Sequence, residues 1–133
     1  MPAYQIEKNI GEYIRDHYLS AIEIGFGGKI IAAEIIQDAG IPILCTDIHS
    51  YQTTTVPAIV DDVFSPTLPY YQGVDVLYAI RPGCEIILPM IKLAKLAGTE
   101  LIVYHLGFEL YGDGGENIDL ENIQLHRYVK RLK

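Results

Sequence analysis

The sequence predicts an α/β domain in which helices cover both faces of a mostly parallel β-sheet, a three-layer arrangement. Short apolar runs alternate with segments of helical periodicity, and glycine or proline separates one from the next. Half of the 133 residues are apolar, which suffices for one sizeable core. We therefore expect residues 1–133 to form a single Rossmann-like domain, with ligands bound beyond the carboxyl ends of the strands.

The first elements follow from periodicity and glycine placement. Apolar residues recur at helical spacing over residues 4–18, which predicts an amphipathic helix that precedes the sheet. Residues 20–24 form a short apolar strand that Gly25 ends. Helical spacing resumes at Ile30 and stops at Gly40, a residue suited to the left-handed position after a helix.

The second strand is predicted over residues 43–46 and the third over Ala58–Val60. Between them, residues 51–57 are rich in β-branched side chains and close with proline, a poor composition for a helix. We therefore expect reduced crossover helices in this part of the chain.

The fourth strand is predicted over residues 74–80, followed by a helix that begins at Pro82 and ends at Gly98. Residues 101–106 form a nearly unbroken apolar strand, as found where both faces of a sheet are covered. Alternation over residues 123–129 predicts one final strand.

Composition excludes some classes of function. A net charge of −7 argues against nucleic-acid binding, which relies on clustered Lys and Arg. Cys45 and Cys84 lie in apolar surroundings, which indicates free thiols and a cytoplasmic protein. No basic and apolar leader and no run of about 20 apolar residues is present, so we expect neither secretion nor a membrane span.

Cysteine and histidine spacing also bears on metal binding. The two cysteines, His49, His105 and His126 do not form the close pairs typical of zinc sites. We therefore expect no bound metal.

The segment Gly25-Phe26-Gly27-Gly28 follows the first strand and opens a helix. Glycines let a ligand approach the main chain, and a helix start offers free N–H groups. A dinucleotide fingerprint requires glycine at position 30, where this chain has Ile30. Glu23 instead matches the acidic-x-Gly-x-Gly turn of S-adenosylmethionine-dependent methyltransferases. The alternative is a turn that serves the fold alone.

Acidic residues follow the next two strands. Asp47 lies about 20 residues after the glycines, where a carboxylate can accept the hydroxyls of a ribose. Asp61 and Asp62 follow the third strand, where a carboxylate can accept an adenine amino group. We include Glu23, Gly25, Phe26, Gly27, Asp47, Ile48, Asp62 and Val63 in the predicted cofactor site.

Four segments together resemble an uncharacterised family of short archaeal proteins with a methyltransferase-like Rossmann core. They are Glu23-Ile24-Gly25-Phe26-Gly27, Thr46-Asp47, Asp61-Asp62-Val63-Phe64 and Ala79-Ile80-Arg81-Pro82. The resemblance implies a truncated class I methyltransferase-like fold and S-adenosylmethionine as cofactor. It implies no particular reaction.

Arg81 is the candidate catalytic residue. Methyltransferases that modify amino groups often have an Asn/Asp-Pro-Pro-aromatic segment here, whereas this chain has Arg81-Pro82-Gly83-Cys84. A guanidinium can clamp a carboxylate or phosphate, which favours an anionic substrate. The alternative is an ion pair with Glu85 or Glu109 that stabilises the loop.

Three functions remain open: an S-adenosylmethionine-binding protein that acts as a methyltransferase on an unknown anionic substrate, a non-catalytic binding or regulatory module that is dimeric or partner-dependent, and, less favoured, a NAD-type nucleotide-binding protein. Tyr51, Tyr70 and Tyr71 lie in the loops that replace crossover helices and leave part of a sheet face bare. We therefore expect a homodimer or a protein partner.

Overall fold

A computed structural model describes residues 2–53, 55–107 and 110–131. The three α-helices of the described chain are α1 Ala3–His17, α2 Ile31–Asp38 and α3 Ile87–Ala97. The strands are β1 Ala21–Ile24, β2 Ile43–Asp47, β3 Ala58–Val60, β4 Val76–Ile80, β5 Glu100–Tyr104, β6 Glu116–Asp119 and β7 Gln124–Val129. Two short 3₁₀ turns, Leu68–Tyr70 and Cys84–Ile86, lie in the connections.

These strands form a seven-stranded sheet in the order β3-β2-β1-β4-β5-β7-β6. Strands β1 to β5 pair in parallel, whereas β7 is antiparallel to both of its neighbours. The carboxyl ends of the parallel strands therefore lie at one edge of the sheet, and the amino end of β7 lies at the same edge. The predicted α/β class is confirmed.

Helices cover the two faces unequally. Helices α1 and α2 pack together on one face, and Gly11 allows close approach because a Cβ there would lie 2.9 Å from the backbone of Ala32. On the other face α3 packs over β4 and β5 through a second apolar cluster. Described residues 48–53 and 55–57 contain no helix, and only Leu68–Tyr70 is helical between β3 and β4. The expected reduction of crossover helices is confirmed.

The end of the chain corrects one expectation. Two strands, β6 and β7, follow β5 where the sequence predicts one. Strand β6 has the sequence Glu-Asn-Ile-Asp and lies at the edge of the sheet with three of its four residues exposed. It lacks the alternating apolar pattern because an edge strand needs little burial.

The helix predicted to begin at Pro82 begins at Ile87, after the turn Cys84–Ile86. Arg81 has a left-handed backbone (φ 53°) and Gly83 is extended, so the chain must turn before a helix can start. No helix in the described part of the chain is both long and apolar enough to span a membrane.

Candidate cofactor and ligand site

The turn after β1 depends on glycine. Gly25, Gly27 and Gly28 have φ of 68°, 62° and 80°, a region that other residues rarely adopt. The Gly25 N–H donates to the carbonyl of Thr46 at 2.8 Å, which ties the turn to β2. Apart from Gly27 itself and its two chain neighbours, no described residue has an atom within 4 Å of the position that a Cβ of Gly27 would occupy. A ligand can therefore approach the backbone at Gly27.

Asp47, at the end of β2, binds the same turn. Its Oδ2 accepts the Gly27 N–H at 3.0 Å, and its Oδ1 accepts the His49 N–H at 3.0 Å. An ionised carboxylate offers about four acceptor positions, so each oxygen retains one for a ligand hydroxyl. The predicted ribose carboxylate and the glycine turn are thus joined directly.

Two aromatic rings determine which part of the turn is open. Phe26 is only 4% exposed and packs in the core, so a ligand at this position meets its backbone. Tyr51 lies edge-on to Phe26, with ring centroids 5.3 Å apart. A Cβ on Gly28 would lie 2.8 Å from the Tyr51 ring. Tyr51 therefore covers Gly28 and leaves Gly27 free.

Glu23 lies beneath the turn. Its side chain is buried, and its Oε1 accepts the Tyr78 hydroxyl at 2.8 Å. Burial is the main cause that raises the pKa of Glu23 to about 8; the Tyr78 hydrogen bond opposes this rise, and the nearby Glu7 adds to it. The side chain is therefore protonated at neutral pH and supports the turn from inside the sheet.

The two aspartates after β3 make different contacts. Asp61 accepts the Thr67 hydroxyl at 2.8 Å and the Tyr71 hydroxyl at 2.6 Å, which organises the loop that follows. Asp62 is exposed, and its Oδ1 accepts the N–H of Phe64 at 2.9 Å. Asp62 is thus the more accessible of the two carboxylates.

Two apolar side chains accompany the carboxylates. Val63 is buried against the core on the α3 face, whereas Ile48 is 60% exposed beside Asp47. An exposed isoleucine at a strand end provides an apolar surface for a flat ring.

Arg81 is the only described non-glycine residue with a left-handed backbone, and such strain often accompanies function. Its N–H donates to the Tyr104 carbonyl at 2.7 Å, and its Cζ lies 5.6 Å from the centroid of the Tyr104 ring. It forms no ion pair with Glu85. Glu109, the other proposed partner, lies outside the described residues.

The loop after Arg81 approaches the glycine turn. A Cβ on Gly25 would lie 3.9 Å from Cδ1 of Ile86. The structure therefore brings the turns after β1 and β4 into contact at one edge, as the strand order requires.

Sequence patterns missed a polar cleft beyond β5. The side chains of His105, His126 and Tyr128 contact one another there. From the sequence, the two histidines were considered only as possible metal ligands. Within the described residues no group of three or more potential metal ligands occurs. The placement of His105 near the end of the predicted apolar strand over residues 101–106 was the available signal, because strand ends of this kind lie at the carboxyl edge.

Several solved methyltransferases share this fold. A SAM-dependent methyltransferase from Aquifex aeolicus superposes with a TM-score of 0.60 over 95% of this chain and 92% of its own, at 11% identity. The CcbJ methyltransferase of Streptomyces caelestis superposes with a TM-score of 0.58 over 94% of this chain and 64% of its own, at 15% identity. A SAM-dependent methyltransferase from Archaeoglobus fulgidus superposes with a TM-score of 0.57 at 13% identity. The superposition covers 76% of this chain and only 52% of that enzyme. The fold is thus methyltransferase-like.

Sequence relatives are archaeal. UPF0146 protein PH0209 of Pyrococcus horikoshii is 29% identical over 112 residues, which cover 80% of this chain and 86% of the relative. A UPF0146 protein of Archaeoglobus fulgidus is 27% identical over 106 residues, 78% of each chain. The model of the uncharacterised protein family UPF0146 matches residues 6–120, and the chain therefore belongs to this family.

Proposed function

We propose that the chain binds S-adenosylmethionine at the sheet edge formed by β1, β2 and β3 and transfers its methyl group to an anionic acceptor. The observation that carries the proposal is the Asp47 carboxylate, which accepts the Gly27 N–H while it retains acceptor positions for a ribose. The fold shared with methyltransferases supports the same conclusion.

The candidate residues match the parts of such a cofactor one after another along the carboxyl edge of the sheet. The open backbone at Gly27 admits the amino-acid end, and Asp47 receives the ribose hydroxyls. Asp62 accepts the adenine amino group, the exposed Ile48 lies beside the ring, and Val63, whose side chain is buried, offers only its backbone. The cofactor supplies an electrophilic methyl group on a sulfonium, and the protein's task is to position the acceptor in line with it.

Arg81 supplies positive charge where β4 ends, and β4 pairs with β1, the strand that the Gly25 turn follows. No acidic side chain in the described residues forms an ion pair with its guanidinium. A carboxylate or phosphate of the acceptor can therefore pair with Arg81 in two-point fashion. This is the basis for an anionic substrate.

Calorimetric titration tests the cofactor. We expect the chain to bind S-adenosylmethionine and S-adenosylhomocysteine and not NAD, and we expect Asp47→Ala to weaken binding by at least about tenfold through the lost ribose contacts. Asp38→Ala, at the exposed end of α2, is the matched control. Binding of NAD alone, or of none of the three, would refute the proposal.

A binding module without catalysis is the second proposal, because part of the α3 face lacks a covering helix. An apolar groove of about 160 Å³ lies over β1 and β2, lined by Ile22, Leu44 and Tyr70 among others. A second copy of the chain could cover it. Sedimentation at micromolar concentration tests the homodimer, which a clean monomer would remove. Methyl transfer in cell extract would exclude a purely binding role.

A further inference from the structure

A cleft of about 330 Å³ lies beyond the carboxyl end of β5 and the start of β7. We call it the histidine cleft. Its described lining contains no Asp, Glu, Lys or Arg, and the size falls in the range of small-molecule sites. The lining comprises Tyr104, His105, Gly107, Leu110, Asn122, Ile123, Gln124 and His126.

The contacts of His126 define its tautomer. Its Nδ1 lies 2.9 Å from the carbonyl oxygen of Gly114. A carbonyl only accepts hydrogen bonds, so Nδ1 carries the hydrogen and donates it. In the uncharged ring Nε2 then holds the lone pair. His126 is therefore oriented by the backbone as a proton acceptor.

His105 is held separately. Its Nε2 lies 2.6 Å from the Tyr128 hydroxyl, which also accepts the N–H of Tyr111 at 3.1 Å. The two imidazole rings lie edge to face with centroids 5.0 Å apart. Burial and the neighbouring His126 lower the pKa of His105, which favours an uncharged ring at neutral pH. The cleft thus presents polar groups suited to an O–H or N–H ligand.

The histidine cleft lies beside the proposed cofactor site. Strands β1, β4 and β5 are neighbours, so the ends of β1 and β5 are about 10 Å apart. Arg81 follows the intervening strand and lies against Tyr104, which lines the cleft. One small molecule can therefore reach from the guanidinium to the histidines.

We propose that the histidine cleft binds the methyl acceptor, a small molecule with an anionic group for Arg81 and a neutral O–H or N–H nucleophile whose proton His126 accepts. The inference rests on the proposed cofactor binding. As the nucleophilic atom forms its bond to the methyl carbon, the carbon–sulfur bond breaks and its electron pair passes to sulfur. The proton moves from the nucleophile to Nε2 of His126 and then to water.

The probe 4-hydroxy-3-nitrobenzoate tests the cleft without any cofactor, because it is planar and anionic and its phenolate is coloured. The full chain is titrated with the probe at mildly acidic pH while absorbance and the imidazole NMR signals are recorded. We expect the signals of His105 and His126 to shift and the phenolate fraction of the bound probe to rise. Absence of either effect would overturn the proposal.

Two variants separate anion binding from proton transfer. Arg81→Gln should weaken probe binding about tenfold, whereas Arg15→Gln, on the surface of α1, should not. His126→Asn keeps an amide N–H for the Gly114 carbonyl and removes Nε2. It should retain the probe and lose the rise in phenolate. Unchanged affinity in Arg81→Gln, or an unchanged phenolate rise in His126→Asn, would contradict the assignment.

Titration with S-adenosylhomocysteine distinguishes this inference from the proposed function. If the nucleotide binds and the probe does not, the inference fails and the proposed function stands. If the probe binds and the nucleotide does not, the proposed function fails, and the acceptor role of the cleft fails with it.

Discussion

Replacing Glu23 by glutamine is expected to change how the stability of the protein depends on pH. The buried carboxyl has its pKa raised from a usual value near 4.5 to about 8. Between these values the folded chain holds a proton that the unfolded chain has released. The stability that this group contributes is therefore fully present below about pH 4.5 and is lost as pH rises towards 8.

The magnitude follows from the linkage relation. One proton of difference lowers the free energy of unfolding by about 1.4 kcal/mol per pH unit, or about 4 kcal/mol from pH 5 to pH 8. Glutamine resembles the protonated carboxyl in shape and its oxygen can still accept the Tyr78 hydroxyl. Glu23→Gln should therefore gain stability relative to the wild type as pH rises, apart from a constant offset.

Urea unfolding at several pH values between 5 and 8.5 measures this difference. Glu121→Gln, at an exposed site, is the matched control and should follow the wild type. A difference between Glu23→Gln and the wild type that stays constant within about 0.5 kcal/mol across this range would refute the reasoning, since the predicted slope is far larger.

Three further substitutions should change the free energy of unfolding, measured in urea. Arg81→Gly should raise it by about 1 kcal/mol by relieving the left-handed backbone, while anion binding weakens; a loss would show that Arg81 is unstrained. Gly11→Ala should lower it by about 1–3 kcal/mol, because the methyl group meets the backbone of Ala32, and unchanged stability would mean that the helices separate freely. Tyr71→Phe should lower the free energy of unfolding by about 1.5–3 kcal/mol by removing the hydrogen bond to Asp61. An unchanged free energy of unfolding would show that this hydrogen bond does not stabilise the fold.

The positions of the first five strands along the chain could be predicted from the sequence because each has a distinct apolar run. Strand β6 could not, since only Ile118 among its residues is apolar and half-buried. The start of α3 could not be predicted from local pattern either, because a left-handed backbone at Arg81, where the N–H also bonds to the distant Tyr104, precedes the helix.

Site residues could likewise be predicted where a local motif identifies them, and not where their contacts depend on strand pairing. The glycines and Asp47 end two successive strands and match the known glycine turn with an acidic residue about 20 positions later. Their contact could therefore be predicted from the sequence. The burial of Glu23 by Tyr78 depends on pairing between β1 and β4. Likewise, the meeting of His105 with His126 depends on an antiparallel pairing of β5 and β7 that no local signal encodes.

The reversed direction of β7 has a consequence for how this protein could diversify. Because β7 starts at the edge where the parallel strands end, the C-terminal hairpin contributes Gln124 and His126 there, far in sequence from the glycine turn. If both proposed sites bind their ligands, changes in the hairpin would alter the choice of acceptor while residues 23–63 continue to recognise the cofactor. Two specificities encoded in separate stretches of chain can evolve independently within one small domain.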